Sequence, residues 1–123
     1  MAFYSFEELD VWKKACRLAV TVYDMLGDCH DRGLKEQMQK AAVSIASNVA
    51  EGSERGGRDF DRFLRIAQGS CAELRTQMYI AKRIGIIGDQ NFAMLLPNVK
   101  EVSKMLHGLR KSLTENRNLN TEH

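Results

Sequence analysis

Proline occurs once in the 123 residues, and short alternating runs of Thr, Val and aromatic residues are scarce. Strands and their turns need such punctuation, so a β-protein is disfavoured. Long hydrophobic runs are missing too: the apolar stretches last a few residues, against the roughly 20 that a membrane-crossing helix needs. The opening MAFYSFEELD has no basic region leading into an extended apolar block, so no secretory leader is expected and the chain is read as cytoplasmic. Cys16, Cys29 and Cys71 are an odd number without metal-ligand spacing, which fits reduced thiols in the cytosol. No paired Glu-x-x-His motif is present, which argues against a ferritin-like di-iron centre, and Cys29-His30-Asp31 are adjacent residues of a turn, which rarely chelate together. No metal and no cofactor are expected. An excess of one charge sign is lacking as well, with 18 Lys and Arg against 16 Asp and Glu. The balance is uneven along the chain: residues 71–117 carry eight basic and four acidic side chains, residues 1–50 six and seven. A weakly basic second half permits nucleic-acid contact without requiring it.

What the sequence does contain is helical periodicity over the length of one domain. Ser5 and Glu8 form an S-x-x-E capping box before the first periodic segment. There Leu9, Trp12, Cys16, Ala19, Tyr23 and Leu26 recur at steps of three and four, and Val11, Ala15, Leu18, Val22 and Met25 run beside them. The two rows cover roughly 200° of the helix, wider than one partner requires, and Gly27 supplies the stop. A second helix over 34–51 has Leu34, Met38, Ala41, Ile45 and Val49 as its seam. A third over 58–84 has Phe60, Leu64, Ala67, Cys71, Leu74, Met78 and Ala81. Gly85 and Gly88 bracket a turn, Asp89 is placed as an N-cap, and a Leu- and Val-rich row from Phe92 to Leu113 marks a fourth. Pro97 inside that row predicts a kink or a separate first turn. Four amphipathic helices with short connections predict an all-α, antiparallel, up-down-up-down four-helix bundle over 1–117, with 118–123 as a frayed tail.

Residues 48–70, NVAEGSERGGRDFDRFLRIAQGS, hold four of the nine glycines and four arginines. GSERGGRD lacks the spacing and the terminal Lys of a phosphate-binding loop, and a helix rather than a strand precedes it. It reads as a helix-helix corner in which Gly52, Gly56 and Gly57 allow positive φ. Arg58, Arg62, Arg65 and Arg83 share the outward face of the third helix, with Arg55 in the corner. Together with Arg75 and Lys82 they are the candidate nucleic-acid contacts, because cations beside phosphates release condensed counterions. The competing reading is a solvated face of ordinary helix pairs, Asp61 with Arg65 and Asp59 with Arg62. Between those arginines lie Gly69, Ala72, Thr76 and Tyr79. An interior helix glycine costs about 1 kcal/mol relative to alanine, so this run of small residues points to close approach by another protomer. Asn48 and Glu51 on the second helix, with Glu73 and Gln77 on the third, are read as a structural hydrogen-bond network rather than an acid-base site. No catalytic residue is assigned. A last pattern, Arg117 to His123, matches the short R-x(4–6)-H signature of HEPN ribonucleases and defines a third, weaker alternative.

Residues 44–87, SIASNVAEGSERGGRDFDRFLRIAQGSCAELRTQMYIAKRIGII, carry a further signal in SNVAEG, RFLRIAQGS and AELRTQ. With F-x-x-L-x-V-W-x-K-A near the start and the Leu-rich last helix, they resemble the four-helix-bundle proteins encoded in intervening sequences of bacterial large-subunit rRNA genes. The family often has proline where this chain has Ala46. The resemblance implies a ring-like homopentamer and no established catalytic activity, and its matched polar positions are Asn48, Glu51, Arg62, Glu73 and Gln77. Distant relatives serve diversity-generating retroelements, where a basic pentameric surface binds nucleic acid and a reverse transcriptase. Two functions are therefore expected to compete: a homo-oligomeric bundle whose basic rows meet RNA, DNA or a reverse transcriptase-like enzyme, and a scaffold whose arginines serve contacts between protomers.

Overall fold

A computed structural model describes residues 5–121, with side chains through residue 116. Among the described residues there is no strand: a 3-10 turn over Phe6–Glu8 precedes α1 (Asp10–Met25), α2 (Arg32–Arg55), α3 (Gly57–Arg83) and α4 (Asp89–Thr121). The expected capping box does not form. Ser5 Oγ accepts from the Glu7 backbone N–H at 3.1 Å and donates to Glu7 Oε1 at 2.6 Å, so it caps the 3-10 turn. Helix α1 starts four residues later, behind Leu9, which offers no side-chain cap. The intervening turn sets Phe6 edge-to-face against Trp12, 5.2 Å between ring centroids.

Each helix packs on its sequence neighbours, and α1 also meets α4, closing a four-helix bundle around one core. The core takes the predicted seams of α2, α3 and α4: Met38, Ile45, Val49, Leu64, Cys71, Leu74, Met78, Leu95, Val99, Val102 and Leu106 are all buried. Burying one such aliphatic side chain is worth about 1.5–3 kcal/mol. On α1 the second apolar row provides most of the core, with Val11, Ala15, Leu18 and Val22 buried. Trp12, Cys16 and Ala19 of the first row are only half-buried, Tyr23 is exposed, and of this row Leu26 alone is buried. The wide apolar arc of α1 is thus partly unused inside a single chain.

The helix ends follow local chemistry. Asp31 Oδ1 accepts from the Leu34 N–H at 3.0 Å, satisfying one orphan donor of α2. Helix α2 runs unbroken past Ala46. Helix α4 includes Asp89 as its first residue and continues through Pro97 without a separate first turn. Both Pro97 and Ala93, one turn earlier, face solvent, so water can take the carbonyl that the missing proline N–H leaves free. Helical backbone reaches Thr121, past the point where apolar periodicity ends. The side chains from 117 onward, Arg117 and His123 among them, lie outside the described residues.

Candidate functional site: the α2–α3 corner and the outer face of α3

Only Gly56 separates α2 from α3. Its φ of 68° and the 57° of Gly57 are left-handed values that cost a side-chain-bearing residue roughly 1–2 kcal/mol each, so the glycine pair makes the reversal. Gly52 does something different from what its spacing suggested: it is helical, and a Cβ there would sit 2.7 Å from Phe63 Cβ and 3.3 Å from the Phe60 carbonyl oxygen. It is the point of closest approach between α2 and α3.

Arginines close this corner. Arg55 reaches Glu51 at 3.3 Å and Asp59 at 3.8 Å, and Arg62 reaches Asp59 at 3.6 Å. Both guanidinium groups also lie over the Phe63 ring, 5.1 and 5.0 Å from its centroid. Arg65 approaches Asp61 at 3.8 Å. Lys82 sits 4.5 Å over the Phe92 ring, near Asp89. Arg75 is half-buried, its Nε enclosed without a hydrogen-bond partner. Of the seven predicted contacts, Arg58 and Arg83, at opposite ends of α3, are exposed and form no ion pair among the described residues.

Beyond Arg65 the outward face of α3 carries small and apolar side chains around a single exposed carboxylate, Glu73. Gly69, Ala72, Thr76 and Tyr79 are all exposed, and a Cβ on Gly69 would meet nothing within 4 Å. Thr76 Oγ1 turns back onto the Ala72 carbonyl at 2.9 Å. Beside them Ile66, Ile80 and Ile84 are 45%, 47% and 59% exposed. Several β-branched side chains lining one solvent-facing helix face form a patch of the kind that marks interaction surfaces.

The four predicted polar residues fall into three groups rather than one network. Asn48 donates to Ser44 Oγ at 2.9 Å, and Ser44 Oγ meets Ser70 Oγ across the α2–α3 interface, also at 2.9 Å. Gln77 donates to Glu73 at 3.3 Å while its own Oε1 is buried without a donor. Glu51 belongs to Arg55. Sequence reading missed the strongest inter-helix polar contact: Arg110 of α4 donates to Asp61 Oδ1 at 3.0 Å and to Gln68 Oε1 at 2.6 Å. Its signal was an arginine set within the apolar row of α4, between Leu106, Leu109 and Leu113.

The chemistry available here is weak. Cys71 is fully buried, and burial pushes its thiol up from 9.0 to about 12, against the opposing Arg75 charge. Burial likewise raises Cys16, with Arg17 opposing. Thiolate is the nucleophile, so both are poor ones. Among the described residues no group of three His, Cys, Asp or Glu side chains is placed to hold a metal ion. No described helix is long and apolar enough to cross a membrane.

The fold and surface define a small all-α helical bundle whose outer faces, rather than an enclosed pocket, are its distinctive feature. The chain belongs to the 23S rRNA-intervening sequence protein family, whose profile matches residues 7–108. A similar solved structure is a protein of unknown function from the S23 ribosomal protein family of Bacteroides thetaiotaomicron VPI-5482. It is 21% identical with a TM-score of 0.77, covering 82% of this chain and 98% of its own. Comparison with curated proteins gives no match.

Proposed function

We propose that the chain is a non-enzymatic, self-assembling helical scaffold: an antiparallel, up-down-up-down bundle whose copies meet through the outer face of α3. The observation that carries this reading is the exposed strip of Ile66, Gly69, Ala72, Thr76, Tyr79 and Ile80. Small residues at its centre let another backbone approach, and apolar ones at its edges gain from leaving water. The half-exposed apolar flank of α1 supplies a second surface, and two different surfaces per protomer suit a closed ring. The family resemblance sets the expected number at five.

Engagement of Arg55, Arg62 and Arg65 with Glu51, Asp59 and Asp61 supports the scaffold over the α3 arginines as a phosphate track. A second reading, contact of RNA, DNA or a reverse transcriptase-like enzyme with α3, retains Arg58 and Arg83 as its free cations. An Ala72→Arg substitution tests the scaffold: a charge in the middle of the strip is expected to shift the particle to smaller mass with helical circular dichroism unchanged. An unchanged particle mass would exclude this face as the contact.

A further inference from the structure

Among the described residues, helix α4 carries a row of three unpaired lysines one or two turns apart on its outward side, and none of them was among the predicted contacts. Lys100, Lys104 and Lys111 are exposed, and none forms an ion pair among the described residues. Helical spacing of four and seven residues puts all three on one side, spanning about 16 Å along the axis. His107 shares that side. Few acidic side chains temper it: between Asp89 and Glu115 the only carboxylate is Glu101, which Lys14 of α1 holds at 3.0 Å, and Glu115, one turn past Lys111 at the far end of the row, forms no ion pair with it among the described residues. The remaining cation of this segment, Arg110, turns inward to Asp61. On α3, by contrast, Arg62 and Arg65 are each matched by a carboxylate within a turn.

We propose that the outer face of α4 binds the sugar-phosphate backbone of a nucleic-acid duplex, without reading its sequence. Three lysines one or two turns apart present point charges to successive phosphates. Sequence-tolerant single-strand binding relies on successive aromatic platforms for stacked bases, and this face has no Phe, Tyr or Trp, only the single imidazole of His107: Phe92 is buried in the core. The site stands apart from the self-assembly strip on α3, so failure of either reading is seen separately, one as particle mass and the other as binding.

The test is binding of a 30-base-pair DNA duplex of arbitrary sequence to the 123-residue chain, followed by fluorescence anisotropy between 50 and 200 mM salt. Neutralising three phosphates per protomer gives a slope of log affinity on log salt of about −2.7 per engaged protomer. The variant K100Q/K104Q/K111Q is expected to bind at least tenfold more weakly at 50 mM salt with a flatter slope, at unchanged particle mass and helix content. The variant K13Q/R32Q/K40Q removes the same charge from exposed, unpaired positions on α1 and α2 and is expected to stay within about twofold of wild type. Absence of duplex binding by the wild type, equal losses in both variants, or equal affinity for polyglutamate of matching charge would each overturn the proposal, the last by assigning the face to an acidic protein partner.

Discussion

Replacing Gly52 with alanine tests how closely α2 and α3 approach. The new Cβ would lie 2.7 Å from Phe63 Cβ and 3.2 Å from Phe60 Cδ1, whereas ordinary carbon contacts begin near ~3.5 Å. A Cβ cannot rotate away, so the two helix backbones must part by a large fraction of an ångström beside the corner that Gly56 and Gly57 hold tight. Overpacking of this kind costs about 1–3 kcal/mol, and alanine's helix preference returns about 1 kcal/mol. The net expectation is a loss of up to about 2 kcal/mol. At about 4 °C per kcal/mol for a domain of this size, the thermal midpoint falls by up to about 8 °C, measured at one fixed protein concentration because assembly shifts the midpoint. Gly108→Ala is the matched control: it lies exposed in α4 with nothing within 4 Å of the added Cβ, so alanine there raises the midpoint. A Gly52→Ala midpoint raised as far as that of Gly108→Ala would refute the close approach.

Removing Arg110 leaves the largely buried Asp61 with only the longer Arg65 contact, so Arg110→Ala loses about 2 kcal/mol in urea unfolding, and Arg110→Lys recovers only part because the fork of donors is lost. A loss below about 0.5 kcal/mol would show the contact to be incidental. Alkaline pH weakens the fold through Cys71. Below pH 9 both states keep the proton, whereas between 9 and about 12 the unfolded chain releases it and the native one does not, so stability falls as pH rises. Between pH 8 and 10 the wild type is expected to lose about 1 kcal/mol more than Cys71→Ala; equal losses would contradict the burial effect.

Most of the bundle was legible because its seams are local patterns. The rows through Met38, Leu64 and Leu95 repeat at helical spacing whatever they pack against. The rows of α1 were equally visible, but which one enters the core depends on how the helix is rotated, and that is set by α2 and α4. Gly52 looked like its corner neighbours because a glycine's letter does not distinguish positive φ from close approach; Phe63, eleven residues away, decides it. Arg62 and Arg65 of α3 pair with Asp59 and Asp61 at helix spacing, which the sequence shows, whereas the pairing of Arg55 at the end of α2 with both Glu51 and Asp59 was only partly readable. Arg55 bridges two helices through the corner. Arg110 and the Ser44–Ser70 contact depend on which helices are adjacent, and sequence spacing within one helix carries no such information. The α4 lysines were overlooked because three cations in a helix resemble any solvated face until their neighbours are seen to be spoken for.

Sedimentation equilibrium of the 123-residue chain tests self-assembly most directly. Copies joined through the α3 strip give one species at a whole-number multiple of 14.0 kDa, five-fold if the ring follows the family resemblance, and Ala72→Arg lowers it. A single species at 14.0 kDa across micromolar concentrations would contradict it.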